Sequence, residues 1–290
     1  MIRTALLTFF LIVLGVGLSL PQAAALLGDV ETYRRIVLWG IPVAALVLSM
    51  LFHPRLARDL PEGDQPPGPL PRRVALLAVV LLAFALDQSF LAVGYLTGWA
   101  TFTFGAHGAQ VPGDRELILT AIWALPACLI LGIWGWERAL RGAVYAGWRR
   151  TLARPGAMAL SVLAGLALSL PPILPGGEVR DAAFLGAAVV AVLCREISLV
   201  LLFSRGGGLL VAGLYRGVLA FMEAFFIHDW YTLHFPAYNY VTSGAPFYAV
   251  RAASALLSLG VVVWLSRTRP AGPNLATQSH GTLERTEEPL

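Results

Sequence analysis

The sequence predicts an all-α fold: a polytopic transmembrane bundle of about eight helices, with the N-terminus and the C-terminus cytoplasmic. Three observations predict it. Hydrophobic residues make up 57% of the 290 and charged residues only 13%, against about 25% charged in a typical soluble domain. The charges fall in short clusters separated by long uncharged stretches, as in a chain that alternates between lipid and water. The arginines gather in alternate connections, which fixes an orientation.

Eight apolar segments run at about 5–27, 36–53, 74–98, 117–136, 156–175, 182–204, 207–227 and 246–266. Each is near the ~20 residues that cross ~30 Å of hydrocarbon at ~1.5 Å per residue. In the first, Arg3 precedes the apolar run, and Pro21 to Ala25 has the composition of a signal-peptide cleavage region. The run is long for a signal sequence and seven more spans follow, so it reads as a helix. The second gives way to the connector 54–73, which contains PEGDQPPGPLPRR and reads as an exposed loop. The fourth continues past Glu137, because Ala139, Leu140, Ala143, Val144 and Tyr145 all suit a helix. The seventh carries Gly213 and Gly217 in a GxxxG spacing that allows close helix approach. The loop 228–245 holds Trp230, Tyr231, Tyr238 and Tyr240, aromatics suited to the membrane–water interface. The chain thus divides into a transmembrane domain, 1–267, and a polar tail, 268–290, read as disordered and cytoplasmic.

With the N-terminus inside, fourteen arginines fall in inner segments, including Arg55, Arg58, Arg72, Arg73, Arg149, Arg150 and Arg154. Four, Arg34, Arg35, Arg115 and Arg180, fall outside, and Arg195, Arg216 and Arg251 lie within spans. All 21 cationic residues are arginine, which with the abundance of Ala, Leu and Gly suggests a GC-rich bacterial genome and the bacterial inner membrane. The arginines flank apolar spans and form no separate basic domain, so no nucleic-acid partner is expected; membrane lipids are. Cys128 and Cys194 each sit inside a span without a CxxC partner and read as small buried hydrophobes. His228 and His234 share one aromatic loop with Asp229 and fall short of a metal-ligand set. Neither a metal nor an organic cofactor is expected.

A charge at bilayer depth needs a partner or a role. The candidates are Asp87, Glu137, Arg141, Arg195, Glu196, Arg216, Glu223 and Arg251. Glu137 and Arg141 are four apart with the acid first, which favours an ion pair on one helix face. Arg216 and Glu223 are seven apart, two turns on one side of the seventh span. Arg195 and Glu196 are adjacent and point in different directions. The plain reading is that such charges pair between helices and hold the bundle together.

The stretch Trp136-Glu-Arg-Ala-Leu-Arg-Gly142 resembles a degenerate EExxxRG motif. That motif belongs to the CAAX protease and bacteriocin-processing (CPBP) family of intramembrane proteases. The glycine turn in Ser204 to Gly213 also resembles the turn before that family's final motif helix, and the likeness covers about 117–228. The resemblance implies a catalytic Glu pair at 136 and 137, an arginine at 141, an FxxxH motif at 165 and 169 and an HxxxN/D motif at 216 and 220. Here those positions hold Trp136, Glu137, Arg141, Gly165, Ser169, Arg216 and Ala220. The chain has no histidine between His107 and His228, so the motif histidines are missing under any alignment. Indole supplies no carboxylate and accepts no proton. The degenerate-site candidates are therefore Glu137, Arg141, Arg216 and Glu223.

Three functions follow. The first is a non-catalytic partner, a pseudoenzyme acting in the processing or sorting of membrane-anchored proteins beside an active protease. The second is an active intramembrane endopeptidase with a rearranged site. The third is a small transporter or membrane scaffold. Convergence of the site candidates favours the first two, and their scatter favours the third.

Overall fold

The computed structural model describes residues 1–28, 32–33, 36–54, 70–98, 100–104, 114–173, 182–226, 238–242 and 245–267. The proline-rich loop, the residues 227–237 that hold both outer-loop histidines, Arg34, Arg35, Arg180 and the tail 268–290 lie outside the described residues. So do the side chains of Glu223 and Arg115.

Every predicted span is occupied by a helix. These are α1 (Ile2–Ser19), α2 (Ile41–Phe52), α3 (Leu70–Leu96), α4 (Asp114–Ile130), α5 (Arg154–Ile173), α6 (Ala182–Leu202), α7 (Gly208–Phe226) and α8 (Ala245–Arg267). A short helical piece, Pro21–Leu26, follows α1, with its proline at the first turn, where no amide hydrogen bond is lost. Helix α4 does run past Glu137. It widens into a π-helical segment, Leu131–Tyr145, and finishes with Ala146–Trp148.

That π segment is the axis of the bundle. It lies between α2 and α7 and also touches α5, while α1 packs along α5 and α8 packs along both α6 and α3. All nine residues from Glu137 to Tyr145 are buried. The segment divides the apolar core in two. Ala139, Leu140, Ala143 and Val144 join residues of α1, α2 and α5, including Leu7, Ile41 and Leu168. Tyr145 joins the cluster of Val80, Leu199, Phe203, Leu219 and Val262 on the other side.

Glycine permits the closest crossings. A Cβ on Gly132 would lie 2.7 Å from the Gly213 carbonyl oxygen and 2.8 Å from the Gly217 nitrogen. The GxxxG spacing is thus the crossing point of α7 with the π segment and α4. On the far side of the segment, a Cβ on Gly135 would sit 2.7 Å from the Pro42 carbonyl oxygen. Backbones this close gain dispersion contacts that larger side chains would hold apart.

Large apolar side chains cover the outside as well as the core, and charges are enclosed. Phe9, Val13, Leu81, Ile122, Trp123, Leu163, Leu210, Leu257 and Trp264 face outward, whereas Glu137, Arg138, Arg141, Glu196 and Arg216 are buried. Among the described residues, four helical stretches are long and apolar enough to cross a membrane: Ile2–Ser19, Leu77–Leu96, Arg154–Pro171 and Leu185–Arg205.

Two features depart from the sequence reading. The fold is not purely α-helical: a two-stranded antiparallel ribbon pairs β1 (Ala100–Phe104) with β2 (Tyr238–Thr242). The β-branched and aromatic residues of both strands suit a pleated surface. Arg138, one of the fourteen arginines assigned to inner segments, is instead enclosed by the bundle, with its guanidinium 5.1 Å from the centroid of the Trp134 ring.

Candidate functional site

Glu137 and Arg141 are brought inward by the π segment. Their side chains approach as predicted, with Arg141 Nε 3.3 Å from Glu137 Oε2, and both are fully buried. Arg216 comes from α7, one residue before the glycine crossing at Gly217. Its Nε donates to Glu137 Oε1 at 2.6 Å and its second nitrogen donates to Glu196 Oε1 at 2.5 Å. Glu196, on α6, closes the figure. Arg141 donates to Glu196 Oε2 at 2.6 Å and to the Glu196 backbone carbonyl at 3.0 Å.

The result is a four-membered ring of alternating charge: Glu137, Arg216, Glu196, Arg141. Two carboxylates and two guanidiniums sum to zero, so the interior carries no net charge there. Isolated burial of any one of them would cost many kcal/mol. Shared burial lets each charge be solvated by its neighbours. Three of the four contacts have the short distances of charge-assisted hydrogen bonds. The exception is Glu137 Oε2, which accepts no hydrogen bond from the described residues and faces Arg141 at the longer distance.

Two further residues fit the ring. Trp136, at the position where the resemblance implies a glutamate, lays its indole against Arg216, with the guanidinium carbon 4.9 Å from the ring centroid. A cation over an indole face is attracted by the ring quadrupole. Gly165, on α5, makes room for the Glu196 carboxylate, since a Cβ there would come within 2.1 Å of Glu196 Oε2.

The structure therefore brings Glu137, Arg141 and Arg216 together. Ser169 lies one helical turn beyond Gly165, and no described hydrogen bond or ion pair joins it to the ring. Glu223 lies one turn short of the end of α7, seven residues after Arg216.

Sequence reasoning missed Glu196 as a member of the site. The signal was present: a lone acid in an otherwise apolar span, with no cation of its own helix at pairing distance other than the adjacent Arg195, which turns away. Arg195 instead approaches Asp87 of α3, at 4.0 Å, and Asp87 accepts a hydrogen bond from Gln88 at 2.8 Å. This second polar layer continues toward α8 through hydroxyls. Ser89 pairs with Ser254 at 3.1 Å, Tyr215 with Ser258 at 3.3 Å, and Ser258 donates to the Ala83 carbonyl at 2.7 Å. Arg251 places its guanidinium 4.7 Å from the Phe90 ring centroid.

Chemically, the ring holds its charges in place. Three of its four carboxylate oxygens have their lone pairs engaged by guanidinium donors. Among the described residues no group of three or more His, Cys, Asp and Glu could hold a metal ion. Comparison with protein-family models, with curated proteins and with solved structures gives no match.

Proposed function

We propose that the chain is a multi-pass protein of the bacterial inner membrane that resembles the CPBP proteases in its sequence over about 117–228 and works without catalysis. Its role would be that of a partner subunit which binds a membrane-anchored protein, or an active protease, during processing or sorting. The observation that carries this reading is the closed charge ring. At the place where the resemblance implies a water-activating glutamate and histidines, it has a tryptophan and an arginine-clamped pair of acids.

The alternation of the spans is supported by what each end of the bundle ties together, and the arginine bias supplies the orientation. At one end Thr4 meets His53 at 3.3 Å, and Arg154 donates to Ser204 at 2.7 Å. These join connections predicted to be cytoplasmic. At the other, Tyr33 donates to the carbonyls of Leu18 and Pro171, and β1 pairs with β2. These join connections predicted to be external. Reporter fusions after residues 65, 150 and 275 should read cytoplasmic, and fusions near 110 and 237 external. An external reading at 275 would remove the eight-span arrangement.

For catalysis, the purified protein in lipid should release no peptide from a library of membrane-anchored substrates. Loss of one general base alone costs roughly 10²–10⁴-fold. Trp136→Glu should not restore activity, because groups acting as a unit are strongly non-additive and Arg216 would still occupy the place of a motif histidine. A second reading, an active endopeptidase with Glu137 as base, has one observation in its favour, the Glu137 Oε2 that accepts no hydrogen bond. Wild-type cleavage that disappears in Glu137→Gln would establish that reading and end the non-catalytic one.

A further inference from the structure

We propose that the end of the bundle formed by the start of α1, the end of α2 and the turn after Trp148 binds the phosphodiester headgroup of an anionic glycerophospholipid, held between Arg3 and Arg150. The proposal rests on the membrane orientation given above, which sets this end among the headgroups of the inner leaflet.

The two arginines are exposed and carried on a fixed frame. Thr4, next to Arg3, meets the His53 ring at 3.3 Å. The turn is pressed against the same threonine, since a Cβ on Gly147 would lie 2.5 Å from Thr4 Oγ1. Trp148 donates its indole N–H to Thr8 at 3.0 Å, and Thr8 donates to the Thr4 carbonyl at 2.8 Å. These contacts draw together the start of α1, the end of α2 and the helical piece that precedes Arg150. Arg3 and Arg150 both act on His53, which lies just beyond the last residue of α2. Burial first, then repulsion from Arg150 and Arg3, holds its imidazole below the usual value.

Arg149, Arg154 and Arg205 lie at the same end, and among the described residues there (1–4, 53–54, 146–154 and 203–208) no carboxylate occurs. An anion between Arg3 and Arg150 would relieve their repulsion. What selects a lipid is the surface beside them. Ile2, Leu6 and Phe9 of α1 and Leu152 are exposed and apolar. A ligand that satisfies both parts is an anion attached to acyl chains, and Trp148 is the kind of residue that anchors at headgroup level.

The test uses the full chain in nanodiscs of phosphatidylcholine alone or with phosphatidylglycerol, with lipid occupancy read by native mass spectrometry and stability by thermal unfolding. Wild type should retain phosphatidylglycerol over phosphatidylcholine and unfold at higher temperature in its presence. Each arginine near an anionic surface contributes about a fivefold preference, so Arg3→Gln with Arg150→Gln should lower it by roughly 25-fold. The same double variant should match wild type in phosphatidylcholine alone, which shows that it folds. An unchanged preference in the double variant, or equal stabilisation of wild type by free inorganic phosphate, would overturn the proposal. Failure of the protein to enter neutral nanodiscs at all would count against the membrane reading beneath it, and neither outcome depends on whether the chain cleaves peptides.

Discussion

Glu196→Leu is expected to be among the most damaging single substitutions in the bundle, at about 3–5 kcal/mol. Glu196 takes hydrogen bonds from both arginines of the ring, one on each carboxylate oxygen. Its removal would leave Arg141 and Arg216 sharing Glu137 alone, with a net positive charge enclosed in an apolar bundle. The cost is that of stranding a charge rather than of losing a contact, which gives the prediction a second arm. Combining Glu196→Leu with Arg216→Met should recover much of the loss, because the remaining Glu137–Arg141 pair is neutral again. Buried ion networks replaced as a unit by apolar residues often cost little. The measurement is thermal unfolding of the purified protein in one detergent, read by tryptophan fluorescence, for both single variants and the double variant. Additive losses would show that the residues do not form a network.

Gly165→Ala is expected to destabilise by about 1–3 kcal/mol, against the ordinary helical preference for alanine. The added methyl carbon would fall 2.1 Å from Glu196 Oε2. That carboxylate cannot swing aside cheaply, because Arg141 and Arg216 hold both of its oxygens. Gly186, exposed on α6, is the control. A Cβ there meets nothing within 4 Å, so Gly186→Ala should be neutral or stabilising by up to about 1 kcal/mol. If both variants unfold alike, the close approach of α5 to the ring is not a constraint. In a Glu196→Leu background the Gly165→Ala penalty should change, since the clashing oxygen is gone. That coupling separates a local clash from general loss of packing.

The number and place of the helices were legible in the sequence because hydrophobic span length is a local property that needs only a window of residues. The same holds for the Glu137–Arg141 approach, since residues four apart share a helix face whatever surrounds them. The GxxxG spacing announced a face of α7 able to cross closely, although which helix crossed it was not legible. The tertiary structure decided that partner, which is the π segment and α4 through Gly132 and Leu129. It also decided that Glu196 meets Arg216, that Gly165 serves as clearance for a carboxylate, and that Arg138 is enclosed. These depend on the order of helices around the bundle and on the rotation of each about its own axis. A one-dimensional pattern of apolar spans is nearly indifferent to both, because leucine faces lipid or protein at similar cost. Within the membrane-like interior, charge neutrality and glycine clearance supply the specificity that hydrophobicity does not, and both act only between segments far apart in the chain.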